Sequence, residues 1–206
     1  MPPRVGDPAD PRVGAGMTPA SVLWLICTLA MLVADSAMAT RRPPKDFCAN
    51  PPLVGPVKQL LSLRYYQQWR PISLSDLPKP HQRMWRRSLN RFDCPGIAMG
   101  HFERRNELAY AFSLKPRDNR QGGWRLVVIS RTAQGTYRDR VLGQTDERVP
   151  PYVIYSVPPE EYTDAFETES VRLRLDGIQV EQMEAGAVLF YWRDGQYRSM
   201  ILAEEQ

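Results

Sequence analysis

An α+β domain, helical at its N-terminal end and mainly antiparallel sheet beyond, is expected from three features of this chain. Apolar residues recur near helical spacing as far as Phe92, whereas from Ile97 onward they alternate in short runs. Gly-containing turns separate those runs and no helical stretch falls between them, which favours antiparallel pairing in a meander, an open barrel or a propeller-like sheet. Two cysteines, Cys48 and Cys94, are placed to tie the helical part to the sheet through one disulfide.

The N-terminal segments precede the domain. Residues 1–16 are rich in Pro and Gly and have no apolar periodicity, so they cannot recover the entropy lost on ordering and are expected to be disordered. Met17 is an alternative start. Ala20 to Ala34 (ASVLWLICTLAMLVA) carries no charge. It is short for a membrane span, which needs about 20 residues, and suits the apolar core of a secretory signal over 17–39. Ala37-Met38-Ala39 supplies a small-x-small cleavage site before Thr40. A retained membrane anchor is the rival reading. A lipid anchor at Cys27 is excluded, because Ile26 is too bulky for that processing and the cysteine lies inside the apolar run. The expected product is periplasmic or secreted, and in that oxidising setting an even pair of cysteines reads as a bridge.

Residues 40–56 form a proline-rich lead-in (Pro43, Pro44, Pro51, Pro52, Pro56) around Cys48, and 57–206 the single globular domain. Val57 to Trp69 shows helical spacing and ends at Arg70-Pro71. A second helix is expected after an N-cap at Ser75, with Pro78 and Pro80 in its first turn and HQRMWRRSLNRF following. Met84, Trp85, Leu89 and Phe92 would face inward, with Arg83, Arg86, Arg87 and Arg91 outward. Strands are expected near 97–102, 107–114, 124–130, 136–142, 152–157, 171–175, 178–182, 186–192 and 196–202. Asp194-Gly195 marks the clearest hairpin, since that pair accepts the positive φ of a tight turn.

Charge is divided unevenly. Residues 40–148 carry 21 Lys/Arg against 9 Asp/Glu, and 149–206 carry 4 against 11. The basic charge is too dispersed to indicate nucleic acid, an improbable partner for an exported protein. Arg83, Arg86, Arg87 and Arg91 could contact an anionic lipid or glycan, or simply be solvated. Glu160, Glu161, Asp164, Glu167 and Glu169 crowd an expected loop after Val157-Pro158-Pro159, either as a solvated loop or as a contact surface for a partner.

Cys94-Pro95-Gly96-Ile97-Ala98-Met99-Gly100-His101-Phe102 and Leu108-Ala109-Tyr110-Ala111-Phe112, within 94–114, resemble one degenerate unit of the FG-GAP/VCBS type. The tail, 176–202, is similar to the ends of small exported bacterial proteins carrying such a unit. That family's calcium loop is replaced here by Glu103-Arg104-Arg105-Asn106-Glu107. Two arginines repel a cation that wants six to eight oxygens, so the resemblance implies a fold but no metal.

No cofactor is expected. The two histidines, His81 and His101, stand alone, and no nucleophile elbow, zinc-protease motif or phosphate-binding loop occurs. By elimination the chain is expected to be an envelope-associated binding module without catalytic residues. The alternatives are a periplasmic inhibitor or immunity-type protein against a secreted enzyme, and a hydrolase using the acidic loop 160–169.

Overall fold

The computed structural model describes Cys48 and residues 51–87, 94–118, 121–182 and 186–202. Helix α1 (Gly55–Arg64) leads into strand β1 (Trp69–Pro71), a 3-10 turn (Leu74–Asp76) and helix α2 (Lys79–Arg87). Strands follow at β2 (Ile97–Arg104), β3 (Glu107–Pro116), β4 (Trp124–Arg131), β5 (Tyr137–Thr145) and β6 (Val153–Val157). The last five are β7 (Glu161–Thr163), β8 (Ser170–Arg172), β9 (Gly177–Gln182), β10 (Gly186–Arg193) and β11 (Gln196–Leu202).

All strand pairings are antiparallel, as the turn-separated pattern requires, and among the described residues no sheet closes into a barrel. In the first sheet β2, β3, β4 and β5 form a meander, and β1 extends the β2 edge by pairing Trp69 with Pro116 of β3. The second sheet runs in the order β11-β10-β9-β6. β7 and β8 form a separate two-stranded hairpin. At the β10–β11 turn Asp194 and Gly195 both take positive φ, which matches the sequence expectation.

Layering follows from side-chain alternation on β3 and β4, whose apolar residues leave neither face free. Tyr110, Phe112, Leu114, Val127 and Ile129 pack with Val57 and Leu61 of α1. Their neighbours Ala109, Ala111, Leu126 and Val128 pack instead with Ile154, Ile178 and Val180 of the second sheet. The far face of that sheet, through Leu189, Tyr191 and Met200, receives Val171 and Leu173 from the hairpin region. Each such large apolar side chain contributes about 1.5–3 kcal/mol when buried. The result is helix on sheet on sheet, with the β7–β8 hairpin outermost.

Cys48 and Cys94 are bonded, their Cα atoms 4.8 Å apart. Gly96, two residues on, lies under Ile72: a Cβ there would stand 2.5 Å from the Ile72 backbone nitrogen and oxygen, so only glycine lets the two segments touch.

The N-terminal half departs from expectation in detail. The first helix stops at Arg64, and Trp69 opens β1 because it is buried beside Pro116 and under the Arg125 guanidinium. Pro56, assigned to the lead-in, sits in the first turn of α1. Ser75 caps no α-helix. Ser73 caps the 3-10 turn instead, in a capping box with Asp76. Asp76, 7% exposed, accepts two bonds of 2.6 Å from Arg70 and one of 3.1 Å from Lys115 of β3. Trp85 docks α2 on Tyr155, ring centroids 5.2 Å apart, among Ile72, Leu77 and Val153. Met84, expected on that inward face, is 50% exposed, and Trp85 is the buried residue of α2. Leu89 and Phe92 lie outside the described residues.

Candidate functional site

The acidic segment read as a loop is largely the β7–β8 hairpin, with a structured turn at its tip. Strand pairing sets Glu161 opposite Arg172, Tyr162 opposite Val171 and Thr163 opposite Ser170. Val171 and Tyr162 face the apolar cluster on the second sheet, so the hairpin is anchored by one face while its other face meets water. The Thr163 and Ser170 hydroxyls meet at 2.9 Å, closing the ladder just before the turn.

Asp164 organises that turn. Its carboxylate accepts from the Thr168 amide at 2.6 Å, the Thr168 hydroxyl at 2.6 Å and the Glu169 amide at 3.1 Å. Its own amide donates to Glu169 O at 2.9 Å. These bonds, the Thr168 hydroxyl first, hold the Asp164 carboxyl below its ordinary pKa. Glu167 takes φ 55°, a left-handed conformation that costs a non-glycine residue about 1 kcal/mol and persists only where its surroundings fix it. Ala165 N donates to Ile201 O at 2.9 Å, which braces the tip against the end of β11.

The braced turn holds out Phe166, 74% exposed. No sequence motif marked this residue, and a single phenylalanine among glutamates gives no periodic signal. Glu160, Glu161, Glu167 and Glu169 are all exposed around it along the hairpin, and Asp164 is half-buried. Ile201, also exposed, lies beside the tip through its bond to Ala165. A rigidly held aromatic ring thus stands in water beside an aliphatic side chain, with acidic residues around both.

The other expected residues fall elsewhere. Arg83, Arg86 and Arg87 are exposed on α2, while Arg91 lies outside the described residues. His81 is half-buried at the start of α2; His101 lies on β2, its amide donating to Asp176 Oδ2 at 2.7 Å. Glu103, in the segment that replaces the calcium loop, is spent internally on Arg140 and the Ser130 hydroxyl. Among the described residues no three His, Cys, Asp or Glu side chains are grouped to hold a metal ion.

No family model, curated protein or solved structure matches this chain.

Proposed function

We propose that this protein is an exported, envelope-associated binding module without catalytic activity, which takes a protein partner through the tip of the β7–β8 hairpin. The observation that carries the reading is Phe166, a large ring kept in water by a turn that three hydrogen bonds to Asp164 lock in place. Leaving such a ring exposed forgoes about 1.5–3 kcal/mol of burial, which a partner pocket recovers. Because the turn is already ordered, little entropy is lost on docking. Aromatic anchors ringed by polar residues are the usual centre of interface energy. The glutamates around Phe166 select a pocket with a basic rim.

Export rests on the apolar segment 20–34 and its small-x-small site, and the Cys48–Cys94 bond is consistent with an oxidising compartment. The FG-GAP/VCBS-type resemblance of 94–114 and 176–202 belongs to the same reading of the chain as an interaction domain. The alternative, a periplasmic inhibitor or immunity-type protein against a secreted enzyme, draws on the same projecting turn, which would fill one pocket of that enzyme. A hydrolase using 160–169 has less behind it. Asp164 is committed to the turn, and Glu160, Glu161, Glu167 and Glu169 stand exposed along a hairpin.

The test is capture from an envelope extract on the immobilised, disulfide-intact protein, eluted by a salt gradient. The expected result is a protein held beyond 1 M salt, where charge pairs are screened within about 3 Å, and absent when Phe166→Ala is immobilised. Equal retention by Phe166→Ala rules the tip out. So does a captured lipid or glycan that leaves at low salt and is lost from Arg83→Glu/Arg87→Glu.

A further inference from the structure

At the other end of the same hairpin lies an open cleft of about 860 Å³ with the opposite charge. Arg105 and Asn106 reach it from the β2–β3 turn, Arg172 and Arg174 from β8 and the chain beyond it, and His101 and Asp176 complete its polar lining. Alternation explains the placement: Leu173 is buried, so residues on either side of it turn outward. Leu173 N donates to Glu160 O at 2.8 Å, which fixes that segment to the hairpin base. Gly100 lies against Asp176, whose carboxylate is 3.0 Å from where its Cβ would be, so the strand and the cleft wall approach closely.

The three arginines are unmatched. Elsewhere Arg64, Arg70, Arg104 and Arg140 each pair with a carboxylate. Among the described residues Arg105, Arg172 and Arg174 enter no ion pair within 4 Å, although Glu161 sits opposite Arg172 in the ladder. Asp176, the acid in the cleft, already accepts from the His101 amide and has His101 Nδ1 at 3.5 Å.

We propose that this cleft binds phosphate groups, with Arg105 on one wall and Arg172 and Arg174 on the other as the ligands. A carboxylate is planar and one guanidinium fork satisfies it. A phosphoryl group presents three oxygens and up to two charges, and so takes guanidinia converging from two chain segments. The lining contains no Phe, Tyr or Trp on which a nucleobase would stack, so the phosphate itself is what is recognised. Phosphate of this kind comes either as a soluble polyphosphate or as a lipid headgroup. The site does not depend on the hairpin tip.

The test is calorimetric titration of the purified, disulfide-intact protein with tripolyphosphate, with citrate as the carboxylate comparison, at fixed low salt. Saturable binding is expected, with tripolyphosphate at least tenfold tighter than citrate. Arg172→Glu/Arg174→Glu should weaken it at least tenfold, and Arg105→Gln, on the other wall, several-fold. Arg83→Glu/Arg87→Glu on α2 should stay within twofold. Thermal melts check that each variant is folded, and two independent walls keep the test decisive if one variant is not. Citrate binding as tightly, or the α2 variant losing as much as the cleft variant, overturns the proposal, as does no binding at all. Sedimentation with phosphatidic acid vesicles, against phosphatidylcholine vesicles, then separates the sources. Binding that Arg172→Glu/Arg174→Glu abolishes marks the headgroup, and binding of tripolyphosphate without vesicles marks the soluble form.

Discussion

Asp76 joins three segments through one side chain: Arg70 of β1, the Ser73 amide and hydroxyl ahead of the 3-10 turn, and Lys115 of β3. Burial alone would raise its pKa, but the bonds from Arg70, Ser73 and Lys115 together outweigh that and hold the carboxyl well below the usual range. Removing it leaves Arg70 and Lys115 half-buried without their anion. Asp76→Ala should therefore cost about 3 kcal/mol by denaturant titration at neutral pH, at the low end for a buried pair because both cations keep 27% exposure. The sign with pH follows from the lowered value. The stabilisation is present above the unfolded carboxyl pKa of about 3.9 and is lost as pH falls toward the folded one. The gap between wild type and Asp76→Ala should be constant above about pH 5 and shrink below about pH 4. A gap that stays constant down to pH 2 would show that the carboxylate's charge is not what stabilises the fold. Part of this was within reach of the sequence, since Ser73 and Asp76 stand at capping-box spacing and Arg70 is close by, whereas Lys115 is brought to Asp76 from a distant strand that no local spacing reports.

At the scale of elements, the hairpin tip is held by Asp164 and braced on β11, while its strands contribute little core. Asp164→Ala should raise amide exchange at Thr168 and Glu169 and weaken partner binding, with the thermal midpoint of the whole protein nearly unchanged. Unchanged exchange at those two amides would show that the backbone bonds of Asp164 with Glu167 and Glu169 and of Ala165 with Ile201 fix the turn without the Asp164 side chain. Strands β2 to β6 and β9 to β11 were legible from alternation and from turns such as Asp194-Gly195, and most ends fall within a residue or two. The misses share a cause. β1 and β7 are three residues long, too short for periodicity to register, and each exists because a neighbour offers an edge: β3 for Trp69–Pro71 and β8 for Glu161–Thr163. In the acidic stretch the charge count was readable, but the exposure of Phe166 was not, since it is set by a turn conformation that no spacing rule reports.

For the whole molecule, the missing step was the stacking of layers. Residues of β3 and β4 are apolar on both faces, which says only that both are covered. Whether helix or sheet covers each depends on which distant residues share a core cluster, Leu61 with Phe112 on one face and Ala111 with Ile178 on the other. The disulfide was readable from the cysteine count, and it closes the segment that holds α1, β1 and α2 against the sheet. Cys48→Ser/Cys94→Ser should lower stability by about 2–4 kcal/mol, most of it through a freer unfolded chain, and lower the melting midpoint by roughly 5–15 °C. Coincident melts of the bonded and variant proteins would contradict that contribution. If partner recognition is concentrated in the Phe166 ring on its fixed turn, the affinity of Phe166→Ala for a protein captured from the envelope extract will show it, set beside wild type and Arg83→Glu/Arg87→Glu. A hot-spot loss of about 2 kcal/mol corresponds to roughly 30-fold, so Kd should rise by at least that factor for Phe166→Ala and stay within twofold for the arginine variant. An unchanged Kd for Phe166→Ala would contradict it.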